Sequence, residues 1–235
     1  MKIIATLTVT LCLLAASAYA ALSSDQTKRL TDAGAIVAAL RDNGIPQELW
    51  TRAECVVAIP SMKKAAFIIA REHGSGVMSC RTSRGPRINT RRVESTNWSS
   101  PIFMQLTKGS WGLQIGTEQT DLVLLIMNQR GVETLLNDKL SLGSDVSIAG
   151  GPVGRTASAA PLHAEILSYS RSWGVFAGID LSGGTLRPDN EANARAYGPN
   201  VTGRDVITSA RRLTTLPAAK SFLQALRRNV GAPAN

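Results

Sequence analysis

The spacing of apolar positions along this chain changes once, and the change separates a helical front from a strand-rich body. Between Ser23 and Gly44, residues Leu30, Ala33, Val37 and Leu40 recur at the spacing of one helix face, with Lys28, Arg29 and Arg41 at other positions. Ser23 and Gln26 have capping-box spacing, and Asn43-Gly44 is a helix stop. A second short helix is expected from Pro46, carrying Leu49 and Trp50. From Cys55 the texture becomes short β-branched runs. Cys55 to Ile59 is expected to halt at Pro60, and strands Ala66 to Arg71 and Val77 to Arg81 flank His73-Gly-Ser-Gly76. In the same way, Ile102 to Thr107 and Trp111 to Ile115 flank Lys108-Gly109. Glycines between such runs supply the positive φ values of tight hairpins. Asp121 to Met127 is a further strand, followed by a helical stretch around Val132 to Leu136. Val146 to Ala149 leads into a glycine-rich turn, and His163 to Arg171 and Gly174 to Leu181 look like a strand pair. Helical spacing returns from Asp189 to Ala196, from Arg204, and from Pro217, where Phe222, Leu223 and Leu226 share a face.

Successive strands joined by short turns imply antiparallel pairing. The expected class is α+β: a strongly curved antiparallel sheet, as a partial barrel or sandwich, with an amphipathic N-terminal helix and C-terminal helices. No repeat or low-complexity segment interrupts it, so residues 21–235 read as one domain. The first helix has two readings. It packs its apolar stripe on the sheet, or it lies on a membrane surface.

Residues 1–20 carry Lys2, an apolar stretch from Ile3 to Leu14, and Ala18-Tyr19-Ala20, the three parts of a secretory signal. Leu11 before Cys12 does not fit a lipoprotein site. The expectation is export to the periplasm or cell envelope, not as a lipoprotein. The formal charge of +9 falls to +8 when Lys2 is removed, which favours anionic partners. Export makes nucleic acid an unsuitable one. Cys55 and Cys80 then form an even pair able to make a disulfide in an oxidising compartment; two free buried thiols are the alternative. From Ser83 to Asn97 the chain is polar, without strand or helix periodicity. Arg84, Arg87, Arg91 and Arg92 follow Arg81 there, opposed by Glu94. Such a run either wraps an anionic surface or is a solvated loop.

Enzyme signatures fare poorly. Ser61-Met-Lys-Lys64 matches Ser-x-x-Lys, but the partner Lys-Thr-Gly strand is missing, and Ser61 follows a strand and Pro60. There is no Gly-x-Ser-x-Gly elbow, and Gly150-Gly-Pro-Val-Gly-Arg155 lacks the length of a phosphate loop. His73 and His163 are far apart and read as structural. Two cysteines and two histidines have no metal-ligand spacing. No cofactor is expected.

Gly74-Ser-Gly-Val, Trp98-Ser-Ser-Pro, Gly109-Ser-Trp-Gly-Leu-Gln-Ile-Gly, Ser168-Tyr-Ser-Arg-Ser-Trp-Gly-Val-Phe-Ala-Gly and Ala196-Tyr-Gly occur in that order between Ala53 and Gly198. In this order they resemble the SYLF family of lipid-binding modules, which includes yeast actin regulators and phosphoinositide-binding proteins. The resemblance implies a non-enzymatic lipid binder that uses basic residues and an N-terminal amphipathic helix. Carried over, the basic candidates are Lys28, Arg29, Lys63 and Lys64; the arginine run is added on charge alone. In an exported chain the implied partners are anionic phospholipids or phosphorylated lipid headgroups. Actin does not occupy that compartment, and a protein partner is not specified. The alternative is a structural or protein-interaction module of the envelope without a lipid ligand.

Overall fold

The computed structural model describes residues 22–43, 45–65, 69–82, 87–88, 91–92, 97–111, 119–137, 139–152, 164–172, 175–208 and 216–228. Residues 1–20, read above as an export signal, and Arg84, Arg155, His163 and Trp173 lie outside them.

Helix α1 (Ser24–Asn43) begins at the capping box. The Gln26 N–H donates to Ser23 Oγ (3.1 Å), and the Ser23 N–H to Gln26 Oε1 (2.9 Å). Leu30, Ala33, Ile36, Val37 and Leu40 are buried, so the apolar stripe is inside the protein and only the polar side meets solvent. Packing on the sheet is the reading the fold adopts. Helix α2 (Gln47–Arg52) follows Pro46 and buries Leu49 and Trp50.

Nine strands form one sheet among the described residues: β1 (Cys55–Ala65), β2 (Ile69–Cys80), β5 (Ile102–Trp111), β6 (Gln119–Ile126), β7 (Leu140–Ser141), β8 (Ile148–Gly150), β9 (Ile166–Ser172), β10 (Val175–Gly178) and β11 (Gly184–Pro188). Their order is β10-β9-β6-β1-β2-β5-β11-β7, with antiparallel neighbours. The exception is β8, which joins β9 in parallel. Helices α3 (Gln129–Asn137), α4 (Asn190–Tyr197), α5 (Gly203–Thr208) and α6 (Lys220–Arg228) complete the mixed fold, α6 being entered through a 3₁₀ turn at Pro217–Ala219.

The sheet is covered on both faces. On one, Val56, Ala58, Val77, Phe103, Val123 and Leu125 pack with Leu30 and Val37 of α1 and Phe222 and Leu226 of α6. On the other, Cys55, Val57, Ile59, Met78, Met104 and Leu124 pack with Val132 and Leu135 of α3 and Val206 of α5. Alternate residues of β1 and β6 enter different cores, which is why β6 is apolar without alternation. Ile166 of β9 and Leu140 of β7, near opposite ends of the strand order, share the second core. The sheet is curled into a half-barrel around it.

Three expectations from the sequence are corrected. Pro60 does not end its strand, His73-Gly-Ser-Gly76 is not a hairpin loop, and Lys108-Gly109 lies inside β5. The glycines of β2 serve a close approach instead. Ala58 pairs with Val77 and Lys63 with His73, five steps along β1 against four along β2. On the other flank Ile59 pairs with Leu122 and Met62 with Thr120, three steps against two. Strand β1 therefore carries one extra residue relative to both neighbours, a β-bulge. Proline suits this position because it has no N–H for the ladder. Ser61 takes φ = 49°, and its N–H donates to Asp121 Oδ1 (3.0 Å), a carboxylate held in turn by Arg171 Nη2 (2.6 Å). The bulge presses β1 onto β2: a Cβ at Gly76 would sit 2.2 Å from the Ala58 oxygen and 2.9 Å from Ile59 Cα.

A fourth correction concerns Ser83 to Asn97. Two short strands, β3 (Arg87–Ile88) and β4 (Arg91–Arg92), pair there as a separate ribbon, with Arg87 opposite Arg92. Cys55 and Cys80 are direct partners across β1 and β2, and their sulfurs are bonded. The Arg81 N–H donates to the Glu54 oxygen (2.8 Å), which makes the adjacent Cys55–Cys80 pair the close, non-hydrogen-bonded type, with Cα atoms 4.0 Å apart.

Replacing Gly76 by alanine should destabilise the protein by about 2–3 kcal/mol or more, because the new methyl meets backbone that cannot yield. Gly109→Ala, with nothing within 4 Å of its Cβ position, should change stability by less than about 0.5 kcal/mol. The urea midpoints of the two variants read the contrast directly.

Candidate functional site

The bulge decides which way the next side chains point. Cys55, Val57 and Ile59 enter the second core; after the extra residue Met62 takes that direction. Lys63 is thereby released to the α1 side, where unbroken alternation from Ile59 would have sent it inward. It meets the polar half of α1 at a cavity of about 260 Å³. Asp25, Lys28, Arg29 and Asp32 of α1 form one wall; Pro60, Ser61 and Lys63 of β1 and His73 and Ser75 of β2 form the other. His73 is the register partner of Lys63.

The four predicted cations of the helix and strand have different fates. Lys28 is exposed and its Nζ lies 2.6 Å from Asp32 Oδ2. That hydrogen bond, with the attraction of the same carboxylate, raises the ammonium above its ordinary pKa of 10.5 and keeps it charged. Arg29 is a structural latch. Its Nη2 donates to Asp25 Oδ2 (2.7 Å) and its Nη1 to Asp189 Oδ2 (3.0 Å). Asp189 is buried and caps α4 by accepting from the Ala192 N–H (3.1 Å). One turn on, Asn193 acts as a strand partner for β5: Phe103 N–H donates to its Oδ1 (2.7 Å), and its Nδ2 donates to the Phe103 oxygen (3.0 Å). Gln26 Nε2 closes the network on the Ala192 oxygen (2.8 Å). Lys63 is exposed and has no hydrogen-bond or ion-pair partner among the described residues. Lys64 follows on β1 in register with Glu72, and its side chain lies outside the described residues.

The arginine run is likewise divided. Arg81 is structural: its guanidinium donates to the Ala53 (2.9 Å) and Trp50 (3.0 Å) carbonyls and lies 4.7 Å from the Trp98 ring centroid. Arg87, Arg91 and Arg92 are on the β3–β4 ribbon, of whose side chains nothing is described, and Arg84 is outside the described residues. Ser61, tested above as a nucleophile, sits on the bulge of a strand rather than at a helix N-terminus. Among the described residues no three His, Cys, Asp or Glu side chains could hold a metal ion.

Sequence reasoning named Lys28 and Lys63 but missed that Ser61, His73 and Ser75 share their cavity. A signal was present. Residues 55–60 are apolar without a break and hide the two-residue period, but Pro60 within that run is a residue that suits a bulge.

Residues 107–229 match the model of the Ysc84 family, described as Las17-binding protein actin regulator. The match begins within β5 and ends just past α6, so the cavity residues precede it. The protein is 30% identical to Protein YSC84 of Saccharomyces cerevisiae over 191 residues, 79% of this chain and 38% of that one. LAS seventeen-binding protein 3 from the same yeast is matched at 30% over the same length, 39% of that protein. The human SH3 domain-containing YSC84-like protein 1 is 30% identical over 170 residues, 71% of this chain and 46% of that one. The chain thus spans less than half the length of these relatives.

The latch and the solvent-facing pair should separate in stability measurements. Arg29→Met leaves the Asp189 carboxylate buried without its cation and should cost about 2 kcal/mol, read from the urea midpoint. Lys28→Gln removes an exposed helix pair and should cost less than about 0.5 kcal/mol.

Proposed function

The chain belongs to the Ysc84 family, and from that premise we propose that it is an exported protein that docks peripherally on anionic lipid surfaces. The observation that carries the reading is the meeting of Lys28 and Lys63, distant in sequence, at one open cavity between the polar flank of α1 and strands β1 and β2. Arg29, beneath them, is spent on Asp25 and Asp189 and holds the wall in place. The helix does not insert its apolar stripe, which is in the core; it presents its polar side. No described helix is long and apolar enough to cross a membrane, and peripheral docking requires none. The net charge, +9 for the full sequence and +8 without Lys2, adds long-range attraction to a negative surface. The chemistry asked of the site is binding and orientation, with no bond made or broken. Residues 1–20 supply the export signal in this reading.

A second reading, a protein-interaction module without a lipid ligand, is favoured by the yeast relative's name as a Las17-binding protein. The two separate in a vesicle co-sedimentation assay. Binding should rise with anionic lipid content and fall as sodium chloride shortens the screening length from about 10 Å at 0.1 M to about 3 Å at 1 M. Lys28→Gln and Lys63→Gln should each weaken it about fivefold, since a basic residue near an anionic surface contributes about 1 kcal/mol. Binding indifferent to lipid charge and salt, or no binding at all, would leave the protein-interaction reading.

A further inference from the structure

Resting on the lipid-surface reading just given, we infer that the shared end of β1, β2 and β5 is an apolar tip that enters the interfacial layer of the membrane. Six consecutive apolar residues, Ala65-Ala-Phe-Ile-Ile-Ala70, lie between Lys63-Lys64 at the end of β1 and Arg71 on β2. Ala65 pairs with Arg71 across the two strands, and Ile69 pairs with Trp111 of β5. Register thus brings the apolar run and a tryptophan to one end of the sheet. Residues 66–68 themselves lie outside the described residues.

Both cores stop short of this end. Among the described residues, Met62 on β1 and Leu106 on β5 are the last members of either core along those strands. Strand β5 continues from Leu106 to Trp111, about 16 Å at a strand's rise per residue. Beside this extension Lys63, His73 and Gly109 are exposed, and a Cβ at Gly109 would meet nothing within 4 Å. An apolar run at an open sheet end has no core to fill and is costly to leave in water. Its flanks select the occupant. Of the charged residues from 63 to 73, Lys63, Lys64 and Arg71 are basic and only Glu72 is acidic. Cations directly behind an apolar run match an anionic bilayer, where charged headgroups lie outside the acyl chains. Tryptophan is favoured at that boundary. Interfacial segments sit about 5–10 Å deep, so the extension can enter while α1 keeps its polar side at the headgroups.

The test uses the whole protein and phosphatidylcholine vesicles containing phosphatidylglycerol, at low and high sodium chloride. Ile69→Ser and Trp111→Ser should each weaken binding about tenfold at both salt levels, the scale of one apolar side chain left in water. Lys64→Gln should weaken it at low salt alone. Melting curves establish that each variant is folded. Lipids brominated along their acyl chains should quench the wild-type fluorescence more than that of Trp111→Phe, since Trp50 and Trp98 are buried. Trp111→Phe keeps an aromatic ring and should bind nearly as tightly, so the quenching result stands even if a serine variant unfolds. Salt-sensitive binding with folded serine variants unweakened, or with no quenching assignable to Trp111, overturns the tip and leaves electrostatic docking intact. No vesicle binding at all rejects the lipid reading and the tip together. A tip that instead joins two copies of the chain would appear in sedimentation velocity as a dimer lost in the serine variants, with vesicle binding unchanged, and this too overturns the inference.

Discussion

One extra residue in β1 is the constraint on which the rest depends. Ladder hydrogen bonds on both flanks of β1 must lengthen their count at Pro60–Ser61, and three partners make that possible. Asp121 satisfies the Ser61 N–H, Arg171 holds Asp121, and the missing side chains of Gly74 and Gly76 give Ile59 room to cross. The bulge then has a consequence for chemistry. It exchanges the sides of the strand, so Met62 continues the inner core and Lys63 joins Lys28 on the outside. A buried lysine at the uninterrupted position would cost far more than the bulge does.

The two cores give this device a rigid base. A sheet covered on one face by α1 and α6 and on the other by α3 and α5 leaves β1 little freedom to shift register, since either slip would place a polar side chain in a core. The Cys55–Cys80 bond fixes β1 to β2 at the end away from the bulge. The Arg29–Asp189–Asn193 network then ties the wall of the cavity to β5 through α4. Asp189 and Asn193 are buried, Arg29 is partly so, and the contacts are mutually satisfied, so they specify where α1 lies more than they add stability.

How much of this was legible in the sequence depended on the range of the contact. The capping box at Ser23 and Gln26, the buried stripe of α1, the short helix at Pro46 and the pairing of β9 with β10 all rest on neighbours within a few residues. The glycines did not read correctly. A glycine that permits positive φ in a turn and one that admits a crossing strand leave the same letter, and only the partner strand distinguishes them. The SYLF resemblance identified the family through the order of its motifs, and Gly74 and Gly76 are motif glycines seen to admit the neighbouring strand. The latch joining Arg29 to Asp189 spans 160 positions, and no local pattern announces it. Arg29, read as a ligand, lines the cavity while bonded to Asp25 and Asp189, and His73, read as structural, lines it too.

The central claim is that the outer side of the bulge is the surface that meets anionic lipid. Amide hydrogen–deuterium exchange, with and without anionic vesicles, addresses it segment by segment. The account predicts added protection across Pro60 to Lys63 and in the first turns of α1, with α3 and α5 unchanged. Protection confined to α3 and α5 or to the β3–β4 ribbon, with none at the bulge, would contradict it.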